Sequence, residues 1–495
     1  MSRRAAAIAR GVMLQVTARV LAVPLSVVAL GVATRYLGTH DYGVLTTAVV
    51  FVGLFDTCTD LGVSTAIIRR AAGRDGDTAL PRLVGVNLGF SLVYALPLAL
   101  VASGVGWFAY AGQPQVRLAV LVVSAGLVFS SIASCFDPVF DVRVKYSGVA
   151  AAELGSRILT VAAALVVATT NAGLLAMCAV QVLPPLLRMI ISAIAAGRLV
   201  RFRPTFAPAE TLRLLRESLP FTVIILIAIV YWRADGVLLS MLSSPEQVAA
   251  YGLALQLAFS LTLLPQVFSR SALFTINESY VTDQARFRQA VDRGYRFLLL
   301  VAAPVAVLGV PLAGRIVHAV GSSSFTPAAT PVLRLFFVAV AVSFLTGIVS
   351  DALVAARQQR FLSRLSMANL VLNVALNAVL IPLFGAVGTG ISLLVTELSG
   401  VVCTQPRLRR SGVGGLPLGY LPHLAPGLAA ALLALWATWS LPLAVPLACA
   451  GVAYVLGAWA GGAIPADMRT ALLAALRPRS IAPTGDLPTV DVSVE

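Results

Sequence analysis

Four arginines interrupt stretches that are otherwise apolar: Arg19, Arg157, Arg188 and Arg233. A guanidinium keeps its proton at any accessible pH and presents a planar fork of donors that fits a phosphate or carboxylate edge. Holding one in hydrocarbon costs at least a few kcal/mol, so such a cation has either an acidic partner or an anion to bind. Arg19 lies eight residues into its apolar run, about 12 Å along a helix at 1.5 Å per residue, with Gln15 one turn away on the same face. Arg233 lies deep in a later run. Arg157 and Arg188 lie nearer the ends of theirs, where the head can snorkel to the membrane surface. Five acids could answer these cations. Asp56 and Asp60, spaced i, i+4, are expected on one face of one helix, as coupling carboxylates for a proton or cation, as partners of Arg19, or with Asp60 simply capping and pairing near the cytoplasmic end. Asp235 follows Arg233 by two residues and is expected to face another helix, while Asp351 and Glu397 are expected as ion-pair members or coupling groups.

The chain that positions these groups has 495 residues, 59% hydrophobic and 12% charged, with mean hydropathy +0.91. Soluble proteins carry about twice that share of charge, so this composition describes an integral membrane protein. Apolar windows fall at about 11–34, 44–66, 83–106, 116–138, 151–169, 173–197, 218–242, 247–269, 297–314, 332–356, 365–381, 385–405, 423–441 and 443–464. These predict fourteen spanning helices of about 20 residues, leaving no room for a soluble catalytic domain of ordinary size. Arg3, Arg4 and Arg10 precede the first window as in a signal peptide, but that window is too long and holds Gln15 and Arg19, so it reads as a retained span.

Basic residues fix the expected orientation. With the N-terminus in the cytoplasm, 28 of the 36 Arg and Lys residues fall in inner loops, and only Arg35, Arg117, Arg315 and Arg334 fall outside. Both termini are therefore expected in the cytoplasm. A repeat is also visible: Tyr42-Gly43 and Tyr251-Gly252 open the second and eighth helices, 209 positions apart, and Ser156-Arg157 and Ser363-Arg364 stand 207 apart. Both pairs map onto helices six apart, which predicts two six-helix lobes of like topology with a site between them. The expected division is 1–203, 204–410, an appended pair of helices in 411–476, and a disordered cytoplasmic tail over 477–495. Pro24, Pro97, Pro184-Pro185, Pro220, Pro265 and Pro304 favour kinks that could act as hinges. Asn369, Asn373 and Asn377 form an i, i+4, i+8 stripe suited to interhelical hydrogen bonds or to lining a cavity.

Several chemistries are disfavoured by what the sequence lacks. The five cysteines sit in apolar stretches without a C-x-x-C pair, and the three histidines are far apart with no H-E-x-x-H, so neither disulfide nor metal is implied. No G-x-x-x-x-G-K-[ST] phosphate loop occurs. A membrane glycosyltransferase or polymerase would want a large outer loop or an acid-rich motif, and neither is present.

Loop motifs then suggest a family. Arg35-Tyr36-Leu37-Gly38-Thr39-His40-Asp41-Tyr42-Gly43 resembles an R-x-L-G-x-x-x-[YF]-G pattern after helix 1, and Asp60-Leu61-Gly62-Val63-Ser64 through Arg69 resembles the segment closing helix 2. Asn369 through Asn377, followed by Ile381-Pro382-Leu383-Phe384-Gly385-Ala386-Val387-Gly388, is similar to an N-x-x-x-N…I-P-x-x-G-x-x-G run of helices 11 and 12. These are motifs of the Wzx-type polysaccharide flippases in the multidrug/oligosaccharidyl-lipid/polysaccharide exporter superfamily, and the resemblance covers about residues 11 to 405. It implies an all-α membrane protein of two pseudo-symmetric lobes plus two C-terminal helices. It also implies non-enzymatic export of an undecaprenyl-diphosphate-linked oligosaccharide by alternating access. The anionic head would meet Arg19, Arg233, Gln15, Arg157 and Arg188. No cofactor is expected beyond a proton or sodium gradient. The partners expected are the lipid-linked glycan, the bilayer and a polysaccharide polymerase or glycosyltransferases, with no nucleic acid. A lipid II flippase and a cation-coupled multidrug antiporter of the same superfamily are the rival readings.

Overall fold

Each apolar window is mainly helix over its described residues in the computed structural model, which describes residues 3–71, 76–263, 265, 266, 268, 276–280, 283–410 and 417–464, and no strand occurs among them. The tail expected over 477–495 lies outside the described residues. Helix α1 runs Arg3–Asp56 and contains the first two spans, joined at Gly38 with φ 70° and ψ −172°. That joint needs a residue without a Cβ penalty at positive φ. The first half continues with α2 (Val63–Ala71), α3 (Gly76–Ala109), α4 (Pro114–Ser134), α5 (Asp137–Arg143), α6 (Ser147–Thr170), α7 (Gly173–Val180) and α8 (Leu183–Leu199). The window 173–197 is thus broken, because Pro184 and Pro185 suit the first turn of a new helix better than the interior of an old one. The second half holds α9 (Pro208–Leu242), α10 (Pro245–Phe259), α11 (Gln284–Gly321), α12 (Thr326–Ala355), α13 (Gln359–Phe384) and α14 (Ala386–Arg410). Pro114, Pro208 and Pro245 each start a helix where their missing N–H is not needed.

Burial is inverted relative to a water-soluble bundle. Along the middle of α3 the exposed positions include Leu92, Val93, Leu96, Leu100 and Val101, whereas Asn373, Asn377, Ser392 and Thr396 are at most 1% exposed. Aliphatic side chains outside and amides inside suit a hydrocarbon solvent, which cannot satisfy a polar group. Among the described residues nine helices are long and apolar enough to cross a membrane, the first being the two-span α1. The chain is a multi-pass membrane protein.

Residues up to Pro417 form one compact unit and those from Leu418 another. In the first, one apolar core runs from Leu45 and Phe51 of α1 through Val120 of α4 to Tyr251, Phe336 and Phe344 of α10 and α12. A smaller core gathers Val63, Leu80, Phe136, Phe140 and Leu214. The segment between α8 and α9 is strapped to the first half. Thr205 N donates to Gly85 O at 2.9 Å, Arg82 pairs with Glu210 at 2.8 Å and Arg70 with Glu217 at 2.5 Å. The strap can lie this close because a Cβ on Gly85 or Gly89 would collide with its backbone at Arg203 and Thr205. Thr222 Oγ1 then donates to Leu61 O at 2.5 Å. In the second unit α15 (Leu421–Ala437) and α16 (Ala444–Ala460) form a hairpin. Gly427 and Gly457 permit it, since a Cβ on Gly457 would stand 2.7 Å from Gly427 Cα.

Candidate substrate and coupling sites

The second span of α1 meets α9 and α10 along a seam between the two halves of the chain. Positions 43, 46, 50 and 53 follow helical spacing and lie on one face. A Cβ on Gly43 would collide with the backbone carbonyl of Pro245, and one on Gly252 would stand 2.5 Å from Thr46 Cγ2. Val50 Cγ1 fills the notch of Gly236, and the guanidinium of Arg233 fills that of Gly53, with Cζ 3.0 Å from the Cβ that glycine lacks. Each half thus supplies glycines that receive the other half's atoms. Polar links extend the seam at the end carrying the first interspan joint. Tyr110 and Ser240 share a buried hydrogen bond of 2.7 Å, Thr34 Oγ1 donates to Val320 O at 3.3 Å, and Arg35 donates to Ala319 O. His40 Nδ1 and Glu246 Oε1 stand 2.9 Å apart. That contact raises the His40 pKa, chiefly through the hydrogen bond; the Glu246 pKa is lowered by its hydrogen bond to Ser244 and next by His40.

Arg233 is half-buried at the end of this seam away from the interspan joint, and Arg19 is half-buried on the first span, as is Gln15. Neither arginine forms an ion pair with a described carboxylate. Arg157 and Arg188 do. Arg157 stands 3.6 Å from Glu153 one turn earlier, and Arg188 donates to Asp137 Oδ2 at 2.8 Å, with Asp60 also within its field. Their charge is thus already answered by protein acids.

The expectation that Asp56 and Asp60 share a helical face is corrected. Helix α1 ends at Asp56, a 3-10 turn spans Thr57–Thr59, and Leu61 and Gly62 take positive φ of 48° and 69° before α2 begins. Asp56 is exposed. Asp60 accepts from Ser64 N at 3.1 Å and Ser64 Oγ at 2.5 Å, as a carboxylate does at a helix start. The span stops here because short acids compete for backbone N–H groups and glycine accepts the left-handed turn.

Asp235 has a different setting. It is 6% exposed and accepts from Asn377 Nδ2 at 2.9 Å, and that same amide donates to Asn373 Oδ1 at 3.0 Å. The asparagine stripe of α13 therefore converges on the acid of α9. Asn377 Oδ1 is buried with no hydrogen-bond partner, and so is Ser392 Oγ on the adjoining α14. Glu397, also on α14, accepts from Thr346 Oγ1 at 3.3 Å, and its neighbour Ser399 donates to Asn369 Oδ1 at 2.6 Å. Asp351 lies near the end of α12, half-buried. No group of three or more His, Cys, Asp or Glu suited to a metal occurs among the described residues.

Sequence reasoning did not find the glycine notches or the Tyr110–Ser240 and His40–Glu246 links. One signal pointed at the seam: the Tyr-Gly repeat, whose glycines are two of the notches and whose Tyr251 packs on a third, Gly236.

The sequence profile described as polysaccharide biosynthesis protein matches residues 32–330. The chain belongs to the polysaccharide biosynthesis protein family. A relative from Haloferax volcanii, "Probable flippase AglR", is 29% identical over 170 residues, which are 34% of this chain and 36% of the relative. The chain thus spans about a third of the length of that curated relative. Among solved structures, a lipid II flippase MurJ in an inward closed conformation superposes with TM-score 0.73 at 13% identity, covering 90% of this chain and 97% of that one. An inward-facing multidrug resistance MATE family transporter of the MOP superfamily superposes with TM-score 0.67 at 14% identity, covering 80% and 99%. This member of the polysaccharide biosynthesis protein family therefore has the MOP-transporter fold, over the stretch that holds the seam, Arg233 and Asp235.

Proposed function

We propose that the protein is a non-enzymatic flippase that carries an undecaprenyl-diphosphate-linked oligosaccharide, or a related glycolipid, across the cytoplasmic membrane for surface polysaccharide synthesis. The observation that carries this reading is Arg233: a cation about 13 Å from the end of its helix at 1.5 Å per residue, at the junction of the two halves, with no described carboxylate on it. A lipid-linked diphosphate needs such a group, because its anionic head must cross about 30 Å of hydrocarbon while its tail stays in lipid. Arg19 supplies the counterpart in the first half, and Gln15 adds a neutral hydrogen-bonding group beside it. Residues 1–203 and 204–410 act as the two lobes of an alternating-access transporter, with both termini in the cytoplasm. The exported glycan passes to a polymerase or glycosyltransferase on the outer side.

Coupling to a cation gradient is assigned to Asp235. A buried carboxylate beside an amide oxygen without a donor offers hard oxygen ligands to sodium, or a site for a proton. Binding there would tie the packing of α9 on α13 to the cation.

The deciding experiment replaces Arg19 and Arg233 by Gln, singly and together, in a strain depleted of the native protein. Surface glycan export is lost in the double variant at normal protein level, and Lys at either position restores only part, since it lacks the bidentate fork. Intact export with both glutamines refutes the assignment. Resistance to cationic drugs, or lethality with arrested peptidoglycan synthesis, would move the reading to the antiporter or to the lipid II flippase.

A further inference from the structure

Arg233 and its slot come from opposite halves of the chain. The guanidinium lies on Gly53 of α1, with Cζ, Nη1 and Nε at 3.0, 3.2 and 3.3 Å from where a Cβ would stand. All three heavy atoms of one edge of the fork thus rest against a single bare backbone position. Gly53 has no other demand on it: it sits inside a helix, and the atoms nearest the missing Cβ are all from Arg233. The remaining notches of the seam accept uncharged atoms, from Val50, Thr46 and Pro245, so a charged group at Gly53 is a departure from the pattern.

We propose that Gly53 is a positioning residue for Arg233, and that the seam makes the anion-binding cation state-dependent. While the seam is closed the slot fixes the fork in one direction. When the halves part, one wall of the slot leaves with α1 and the cation loses that orientation. This inference rests on the reading of Arg233 as an anion-binding residue. It adds a link between the gate and the ligand: presentation of the cation and closure of the seam are one event. The release of a tightly held anion on opening then needs no separate trigger.

Two measurements test it on the full-length protein in nanodiscs, with undecaprenyl diphosphate as the probe. In the first, Gly53→Ala and Gly53→Leu are compared with Arg233→Gln. A fork pushed out of its slot loses a charge-assisted hydrogen bond, so Gly53→Leu weakens binding by about tenfold or more, toward the level of Arg233→Gln, and Gly53→Ala falls between. Replacing Arg233 by the slimmer Lys weakens binding while Gly53 is kept but improves it in the Gly53→Leu background, a reversal of sign that loss of general packing would not produce. Full binding by Gly53→Leu, alongside weak binding by Arg233→Gln, overturns the slot. Full binding by Arg233→Gln overturns the functional reading instead.

The second measurement leaves Gly53 untouched, so it stands even if Gly53→Leu does not reach the membrane. Thr46→Cys and Gly252→Cys are introduced with the five native cysteines changed to Ala. The two Cβ atoms lie about 3.3 Å apart, close to the separation that a disulfide spans. Oxidation locks the seam. Affinity for the probe changes several-fold between the locked and reduced forms, and equal affinity in both overturns the proposed link.

Discussion

Replacing Asn377 by Leu isolates the polar cluster around Asp235. The two side chains have similar volume, so the change removes an amide and little else. Asn377 Nδ2 is the donor to Asp235 Oδ1 at 2.9 Å, and Asp235 and Asn377 are 6% and 0% exposed. A hydrogen bond to a charged group is worth about 1.5–3 kcal/mol, and water cannot replace a lost donor at that depth. Replacing both partners by apolar groups of similar shape is by contrast close to neutral. The same amide also donates to Asn373 Oδ1 at 3.0 Å, a loss that Asn377→Leu carries in either background, so the bond to Asp235 is read from the difference: Asn377→Leu costs about 1–3 kcal/mol more with Asp235 present than beside Asp235→Leu. Unfolding in mixed micelles titrated with SDS, followed by tryptophan fluorescence, reads all four proteins. Equal cost of Asn377→Leu in both backgrounds would show that the observed bond carries no charge-assisted energy, and the argument from burial would fail. Sodium adds a second arm. If Asp235 binds it, sodium at 100 times its dissociation constant stabilises the native protein by about 2.7 kcal/mol relative to choline. The gain disappears in Asp235→Leu.

Three further outcomes are expected. Cysteines placed at the exposed positions Asn171 and Ser323 react with an impermeant thiol reagent applied to intact cells, whereas one at Arg203 does not; the reverse pattern inverts the topology. Tyr110→Phe removes the buried 2.7 Å contact with Ser240 and favours an open seam by about 0.5–1.5 kcal/mol, read as slower oxidative cross-linking of Thr46→Cys with Gly252→Cys. Closure also depends on pH through His40 and Glu246. The His40 pKa is raised from 6.5, so its contribution is complete below that value and is lost as pH climbs through the raised one; the Glu246 pKa is lowered from 4.5, so its share is present above that value and lost on acidification through the lowered one. The window of tightest closure lies between the two. With side chains 55% and 46% exposed the pair is worth at most about 1 kcal/mol, and His40→Gln flattens the cross-linking profile between about pH 6 and 8 or the pair plays no part.

The apolar windows made the helices legible, because hydrocarbon leaves a backbone no other way to satisfy itself. What the pattern could not show was local backbone chemistry. A window counts Asp60, Leu61 and Gly62 as a continuing helix, while the helix breaks there at two left-handed residues; likewise Pro184-Pro185 starts a helix inside what read as one span. The chemical groups were legible as types, whereas the pairing of Asp235 with the asparagine stripe was not. Nor were the other partners. Arg188 meets Asp137 and Arg233 meets Gly53 across 51 and 180 positions of sequence, distances over which one sequence holds no record of contact. Glycine is the hardest to foresee, since its role at the seam is the absence of atoms.

The strap between the halves fixes where motion can start. Residues 205–217 are fastened to the first half by a backbone hydrogen bond and two ion pairs, and Thr222 holds Leu61, so the stretch of α9 beyond these ties begins near Thr222. From there to its end at Leu242 this stretch is about 30 Å long at 1.5 Å per residue. A tilt of about 10° about Thr222 would carry its tip about 5 Å, the width of one side chain and the scale of an ordinary hinge motion. Such a tilt would lift Ser240 off Tyr110, and Arg233, midway along, would move about half as far.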